Sequence, residues 1–348
     1  MIKVLVVDDS ILIRKILTDI LESDEEIKVI DTAKNGKEAL AKIESLKPDL
    51  VTLDVEMPVM DGITTLKHIV SNYKIPVIMI SSLTYEGAEL TLRALDLGAV
   101  DFLPKPTNVF NIRQEDLRAQ IIEKVKVASK SKFYPFKPIE HIKKHDEGLL
   151  KKKTFKTSFD NIVAIGTSTG GPRALQTIIP QLPADINASI VIVQHMPPKF
   201  TKSLADRLNS ISNIRVKEAE EGDFLQRGHA YIAPGDYHLR IVKDGDKLIV
   251  RLDQEPEVLG LRPTVDKMME SVAKIEGYNK IGVILTGMGS DGKIGIKSIK
   301  ESGGFTIAQD EATSVVFGMP KAAISANCID DVLPIEQIGE KILSKVGM

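Results

Sequence analysis

The segment Ile162–Pro172, which reads IVAIGTSTGGP, constrains the fold of this chain more than any other stretch. Its β-branched apolar residues predict a buried strand that stops at a glycine. Gly170 and Gly171 then permit a tight turn, and Pro172 suits the first turn of a helix. The pattern Gly-x-Ser-x-Gly on a strand–turn–helix bend is typical of a nucleophile elbow, which would place Ser168 at the end of a sheet.

The same glycine-rich turn has a second interpretation, because the N-terminus of a helix also binds phosphate. No Lys-Ser or Lys-Thr pair follows the glycines, which excludes a Walker A loop. From this segment alone, a nucleophilic serine and an anion-binding turn both remain open.

Length and composition indicate an ordinary globular protein of two domains. The chain has 348 residues, 43% of them hydrophobic and 27% charged, with a formal net charge of −2. That charge gives no support for nucleic-acid binding, and the lone Cys328 excludes a disulfide framework or a cysteine metal site. The N-terminus lacks the apolar region of a signal peptide, and no apolar run reaches transmembrane length. We therefore expect a cytoplasmic protein without membrane insertion.

Residues 1–125 alternate short apolar strands with amphipathic helices. Predicted strands cover residues 4–7, 27–30, 50–53, 77–80 and 101–103. This alternation predicts an α/β domain with a doubly wound, five-stranded parallel sheet. In such a sheet, ligands bind outside the carboxyl ends of the strands.

Polar residues occur at those strand ends. Asp8 and Asp9 end the first strand, Asp54 the third and Ser81 the fourth, while Lys105 follows the fifth. Three converging carboxylates repel one another unless a cation is present, and hard oxygen ligands favour Mg²⁺ beside a phosphoryl group. A single strand-terminal Asp would be explained by helix capping, but a set at successive strand ends indicates a binding site.

These residues resemble the receiver domain of response regulators, a flavodoxin-like fold. The resemblance rests on the segments Val7-Asp8-Asp9-Ser10, Leu53-Asp54-Val55-Glu56-Met57-Pro58, Asp61-Gly62, Ser81 and Lys105-Pro106. It implies that Asp54 is the phosphorylated residue, and that Asp8, Asp9 and Asp54 hold Mg²⁺ with the Glu56 carbonyl. Ser81 and Lys105 would contact the phosphoryl group, and Phe102 would be the switch aromatic. A sensor histidine kinase would be the phosphodonor.

Residues 126–158 differ from the flanking stretches in composition. They are rich in lysine, contain Pro135 and Pro138, and show no sustained apolar period. This composition predicts a solvated linker between the domains. A basic arm for nucleic acid is the alternative, but aromatic residues are few and no nucleic-acid-binding motif accompanies the charge.

Residues 159–348 repeat the pattern of polar residues at strand ends. After the Ser168 bend, a strand at 190–193 leads to His195, and a strand at 280–285 leads through a glycine-framed turn to Asp291. An imidazole can take the proton of a serine hydroxyl, and a carboxylate fixes the orientation of that imidazole. The chain order Ser168, His195, Asp291 differs from that of α/β-hydrolases, so the predicted site is a convergent likeness. We expect a mostly parallel α/β domain with an antiparallel hairpin.

Supporting and competing residues surround this predicted triad. The Met288 N–H is a candidate oxyanion donor, and Thr169 a candidate hydrogen-bonding partner near the imidazole. His229 and His238 flank a loop-like stretch, and we expect them to line the cleft or to pack structurally. Asp236 and Asp310 are weaker alternatives to Asp291, because neither follows a clean strand in a glycine-framed turn. The domain offers too few convergent His or Cys residues for a metal site, so no cofactor is expected there.

The second domain resembles the catalytic domain of the chemotaxis protein-glutamate methylesterase family, CheB. The matching segments are Ile165–Pro172, Gln194–Pro198, Ala233–Gly235, Leu285–Gly292 and Phe317–Lys321. The resemblance implies phosphorylation-activated hydrolysis of glutamate 5-O-methyl esters on methyl-accepting chemoreceptors, and deamidation of receptor glutamines. The alternative is a phosphorylation-gated module that docks on the receptor without turnover.

Overall fold

The computed structural model describes residues 1–105, 115–131 and 158–348, without the side chains of residues 115–117. The chain divides into two compact units, residues 1–138 and 139–348. Most of the predicted linker, residues 132–157, lies outside the described residues. Its role as a tether, and the domain limits 1–125, 126–158 and 159–348, therefore stay predictions.

A parallel sheet organises the first unit. Its strands in the described residues are β1 Ile2–Val7, β2 Ile27–Ala33, β3 Leu50–Asp54, β4 Val77–Ser81 and β5 Asp101–Pro104. Their order is β2-β1-β3-β4-β5, with every pair parallel, which confirms the predicted flavodoxin-like sheet. All residues of β3 and β4 are buried, because helices cover both faces of such a sheet.

Helices follow the strands of the first unit in turn. They are α1 Ile11–Leu21, α2 Gly36–Leu46, α3 Gly62–Asn72, α4 Tyr85–Asp96 and α5 Glu115–Ser129. The first four begin at a side chain that accepts a hydrogen bond from a first-turn N–H, namely Ser10, Asn35, Asp61 and Thr84. Helix α5 continues past the boundary expected at residue 125, because Val125 and Ala128 pack in the core of this unit.

The second unit contains a larger parallel sheet and a separate hairpin. Its strands are β6 Asn161–Thr167, β7 Ala188–Gln194, β8 Arg215–Glu218, β9 His229–Ile232, β10 His238–Asp244, β11 Lys247–Asp253, β12 Asn279–Ile284, β13 Phe305–Gln309 and β14 Asp331–Leu333. The sheet order is β14-β13-β12-β6-β7-β9-β8, and β10 pairs with β11 in antiparallel fashion. The predicted mostly parallel domain with an antiparallel hairpin is confirmed.

The helices of the second unit cover this sheet. They are α6 Gly171–Ile178, α7 Phe200–Ile211, α8 Val265–Ala273, α9 Lys293–Glu301, α10 Met319–Ser325 and α11 Ile335–Lys345. Helices α8 and α9 approach each other closely, since a Cβ atom on Gly295 would lie 2.6 Å from the Cβ of Met269. Among the helices of the described ranges, none combines the length and apolar composition needed to cross a bilayer.

Candidate active site and phosphorylation site

Ser168 follows directly after β6, on the predicted bend between strand and helix. Gly170 adopts the left-handed conformation with φ of 78°, and α6 begins at the next residue. A residue with a side chain would be strained at this φ, so the turn requires glycine. The Ser168 N–H donates to the Thr286 carbonyl at 3.1 Å, and the Ser168 carbonyl accepts from the Gly171 N–H at 2.8 Å. These bonds fix the backbone of a partly exposed serine.

His195 leaves the neighbouring strand at the same edge of the sheet. Thr167 and Gln194 form the last residue pair between β6 and β7. Ser168 and His195 each follow directly after this pair. The His195 N–H also donates to the Thr167 carbonyl at 3.1 Å. Because adjacent strands lie about 4.8 Å apart, the two predicted residues are neighbours.

The His195 imidazole is paired with the Asp291 carboxylate. Its Nε2 lies 2.8 Å from Asp291 Oδ2, and the two side chains are only 7% and 3% exposed. An ionised carboxylate only accepts hydrogen bonds, so Nε2 carries the proton of a neutral imidazole. Nδ1 is then the nitrogen that can act as a base.

Asp291 also caps the first turn of α8. Its Oδ2 accepts from the Val265 N–H at 2.7 Å, and its Oδ1 accepts from the N–H groups of Asp266 and Gly292 at 3.0 and 2.9 Å. Burial raises the pKa of Asp291, but the bond to His195 and these N–H groups outweigh it, so the pKa lies below the ordinary 3.8. The carboxylate is therefore ionised and fixed in place at neutral pH.

The turn that leads to Asp291 packs directly against Ser168. A Cβ atom on Gly287 would lie 2.9 Å from the Ser168 Cβ and 2.3 Å from the Met319 sulfur, so this position requires glycine. The next residue is Met288, whose N–H finds no acceptor in the part of the chain that the structure describes. An unused backbone donor beside a serine is what an oxyanion hole needs.

The Ser168 hydroxyl makes no hydrogen bond with His195 in the described part of the chain. Catalytic hydrogen bonds are often long without substrate and shorten in the complex. The geometry thus joins His195 firmly to Asp291 and places Ser168 on the adjacent strand end. Catalytic roles for the three residues remain predictions.

The remaining predicted candidates take structural positions or stay open. Thr169 is buried, and its carbonyl accepts from the Thr286 hydroxyl at 2.9 Å; its role near the imidazole remains a prediction. Asp236 pairs with Arg262, whose Nε lies 3.0 Å from its Oδ1. His238 is fully buried, and burial lowers its pKa.

Asp266 belongs to the neighbourhood of this site, although no sequence pattern singled it out. Its carboxylate accepts from the Gly295 N–H of α9 at 2.7 Å, while its own N–H donates to Asp291. Asp291, in the turn before α9, therefore caps α8, and Asp266 of α8 caps α9. Burial, together with the charge of Asp291, raises the pKa of Asp266 to about 6. An acidic residue in a first helical turn was visible in the sequence, but its distant partner was not.

The carboxyl edge of the first unit gathers the predicted phosphorylation residues. Ligand oxygens of Asp8, Asp9 and Asp54 all lie within 4.8 Å of one another. The Lys105 ammonium lies 2.7 Å from Asp54 Oδ2 and 3.4 Å from Asp8 Oδ2. Burial raises the pKa of Asp54 to about 6, with the Lys105 hydrogen bond opposing and the Asp8 charge adding to the shift.

The donor set of this edge fits a hard divalent cation. Asp8 Oδ2 is buried, with the Lys105 ammonium at 3.4 Å and no hydrogen bond of good geometry from the described residues, and Asp9 is exposed to solvent. Three clustered carboxylates that share a single nearby ammonium suit Mg²⁺, which binds through few carboxylates and keeps several waters. The side chain of Glu56 is exposed, and the carbonyl ligand that the receiver resemblance implies at this residue stays a prediction.

Ser81 lies on β4, the neighbour of β3, and Phe102 lies on β5, the neighbour of β4. Ser81 is buried, and its hydroxyl donates to the Gly87 carbonyl at 3.1 Å. Phe102 is also buried, with the Lys124 ammonium 5.5 Å from the centre of its ring. Contact of Ser81 with a phosphoryl group and switching by Phe102 stay predictions.

The fold is that of a response regulator receiver domain followed by a mostly parallel α/β output domain. The response regulator receiver domain matches residues 4–116, and CheB methylesterase matches residues 163–342. The chain belongs to the CheB methylesterase family, in the form that carries an N-terminal receiver domain.

Curated relatives and a solved structure agree with this assignment. The chain is 48% identical to a protein-glutamate methylesterase/protein-glutamine glutaminase of Pyrococcus horikoshii, over 99% of this chain and 94% of the relative. It is 45% identical to the protein of the same name from Bacillus subtilis, over 99% of each chain. The CheB methylesterase catalytic domain of Thermotoga maritima is 49% identical, with a TM-score of 0.52, and covers 54% of this chain and 99% of its own.

Proposed function

We propose that this protein hydrolyses glutamate 5-O-methyl esters on chemoreceptors to glutamate and methanol, and deamidates receptor glutamines to glutamate and ammonia. The observation that carries the proposal is the His195–Asp291 pair of 2.8 Å at the strand end next to Ser168. An ester and a primary amide of the same side chain differ in the leaving group, so one acyl-transfer site can act on both.

In the first half of the reaction, the Ser168 hydroxyl attacks the side-chain carbonyl of the substrate, and its proton passes to Nδ1 of His195. The imidazolium that forms keeps its Nε2–H on Asp291, whose charge stabilises it. The negative charge that develops on the substrate oxygen is stabilised by the Met288 N–H.

In the second half, the tetrahedral intermediate collapses and the leaving group departs with the proton from His195. Methanol leaves from an ester and ammonia from an amide, and the glutamyl group stays on Ser168 as an ester. Water then loses a proton to His195, attacks this ester and releases glutamate with a free Ser168 hydroxyl.

The first unit supplies control through phosphorylation of Asp54 by a sensor histidine kinase. Asp8, Asp9 and Asp54 would hold Mg²⁺ with the Glu56 carbonyl, and the metal would offset the negative charge of the phosphoryl group. Lys105, already 2.7 Å from Asp54, would bind a phosphoryl oxygen. Phosphorylation would then shift the population of the chain towards a form with higher esterase activity.

The test is methanol release from a methylated cytoplasmic fragment of a chemoreceptor, with and without a small-molecule phosphodonor and Mg²⁺. Ser168→Ala should lower the rate by about 10³-fold or more, whereas Ser189→Ala, which removes a buried hydroxyl without a hydrogen-bond partner, should not. Asp54→Ala should keep basal turnover and lose the response to phosphodonor, while Asp19→Ala, on the exposed side of α1, should keep both.

Binding of the fragment without methanol release by the wild-type chain, under every condition, would contradict the esterase proposal. That outcome would favour the docking module without turnover. Persistence of the phosphodonor response in Asp54→Ala would contradict the proposed control while leaving the esterase intact.

A further inference from the structure

Gln194, the last residue of β7, joins the backbones of the two residues that carry the proposed chemistry. Its buried side-chain Nε2 donates to the Ser168 carbonyl at 2.9 Å and to the His195 carbonyl at 3.2 Å. One amide group therefore binds the candidate nucleophile and the candidate base at the same time. The segment Gln194–Pro198 stood out in the sequence, but the mechanism uses only His195 from it.

The orientation of this amide is fixed by its neighbours. Carbonyl groups only accept hydrogen bonds, so the NH₂ group and not Oε1 must face the two carbonyls. Oε1 is left buried without a hydrogen-bond partner among the described residues. A buried acceptor without a partner costs about 1–3 kcal/mol, and the two hydrogen bonds that Nε2 donates oppose this cost. A buried unpaired acceptor calls for an explanation, and the two carbonyls that Nε2 joins supply one.

The chain around Gln194 leaves room for this arrangement. A Cβ atom on Gly171 would lie 2.0 Å from Oε1 and 2.4 Å from the Thr167 hydroxyl. Glycine at the start of α6 is therefore what allows the amide to lie under the Ser168 bend. Any side chain at residue 171 would displace either the amide or the helix.

Hydrogen bonds of the same kind continue across the adjacent strand ends. The Thr286 carbonyl accepts from the Ser168 N–H at 3.1 Å and from the Thr167 hydroxyl at 2.9 Å. The Thr286 N–H in turn donates to the side chain of Gln309 at 2.8 Å. Near the ends of these strands, side-chain hydrogen bonds thus add to the backbone bonds, and the Gln194 side chain links the Ser168 and His195 segments.

We propose that Gln194 is a positioning residue that sets the distance and orientation between Ser168 and His195. Past the pair Thr167–Gln194 the two segments diverge, one into α6 and the other into the loop before α7. The Gln194 amide is the side-chain link between the Ser168 and His195 carbonyls after that point. It touches no reacting atom, and it acts through the backbones that carry the reacting groups. This inference rests on the proposed function of the same site.

The test compares Gln194→Met with Asn161→Leu in the full chain. Methionine has nearly the shape of glutamine but no donor. Asn161 is a buried amide at the opposite end of β6, where it donates to the Asn187 carbonyl at 2.7 Å. Kcat and KM for methanol release from the methylated receptor fragment are measured beside the thermal unfolding midpoint. Gln194→Asn, which keeps an amide too short to reach both carbonyls, replaces Gln194→Met if that variant does not fold.

We expect kcat of Gln194→Met to fall by about 10- to 100-fold with KM within about threefold of wild type, the scale of a misplacement near 1 Å. Asn161→Leu should keep kcat within about threefold of wild type, even if its unfolding midpoint falls as far as that of Gln194→Met. Wild-type kcat in Gln194→Met, or equal kcat losses in both variants, would overturn the positioning role. Absence of turnover in the wild-type chain would instead refute the proposed function itself.

Discussion

Asp291→Asn tests the proposed triad most sharply, because the structure assigns every hydrogen bond of the carboxylate it replaces. Oδ2 accepts from His195 and from the Val265 N–H, and Oδ1 accepts from the N–H groups of Asp266 and Gly292. Asparagine has the same shape but keeps only one acceptor oxygen. Its NH₂ group must therefore replace one of two acceptors that are both in use.

Either orientation of the asparagine has a predictable cost. If the NH₂ group takes the place of Oδ2, this group faces the Val265 N–H, which loses its acceptor. The NH₂ group also donates to Nε2 of His195, so the imidazole proton moves to Nδ1 and the base is lost. With the NH₂ group in place of Oδ1, two backbone N–H groups lose their acceptor, at about 1–3 kcal/mol each. The charge that stabilises the imidazolium is removed in both cases.

We expect Asp291→Asn to lower kcat for methanol release by about 10⁴-fold, the size known for this change in a serine protease triad. KM should change little, because the carboxylate does not contact substrate. A matched control is Asp310→Asn, whose carboxylate accepts from the Thr313 N–H and hydroxyl and lies outside the proposed chemistry. A loss in Asp291→Asn below about tenfold would refute the tautomer argument.

Stability gives an independent check on the same variant. The pKa of Asp291 lies below 3.8 in the folded chain, so its ionised form stabilises the fold above about pH 4 and that contribution is lost as the pH falls through the folded pKa. Asp291→Asn should therefore lower the unfolding midpoint of the second unit at pH 7. The difference from wild type should shrink below about pH 4.

Two further predictions concern other carboxylates. Mg²⁺ at about 100 times its Kd should raise the free energy of unfolding of the first unit by about 2.7 kcal/mol. The measurement is calorimetric unfolding with Mg²⁺ and with a chelator. Asp8→Asn should abolish this stabilisation, whereas Asp61→Asn, at the N-cap of α3, should keep it. The pKa of Asp266 is raised from 3.8 to about 6 in the folded chain, so the fold loses stability as the pH rises from about 4 to about 6, and the loss is complete above that range. Asp266→Asn should therefore unfold at a higher temperature than wild type at pH 8 and at a similar one at pH 3.5, whereas a lower midpoint at pH 8 would contradict the pKa shift.

The fold could be predicted because its signals are local. The buried apolar runs of β3, β4 and β6 are bounded by turn residues, and the alternation with helices leaves a parallel sheet as the consistent solution. The parallel sheet then determines that residues after neighbouring strands meet at one edge. This rule was enough to predict that Asp8 lies near Asp54 and that Ser168 lies near His195, without any measured distance.

The sequence by itself determined the two α/β sheets, their carboxyl-edge residues and the family, since each follows from patterns a few residues long. Only the tertiary structure decided which imidazole nitrogen faces Asp291, that Asp291 caps α8, and that Asp266 caps α9 in return. It also decided that Gln194 spans two carbonyls. These contacts depend on where one helix or strand end packs against another. A shift of about 1 Å in that packing decides whether a hydrogen bond forms. Residue types and their spacing in the sequence do not specify positions to that precision.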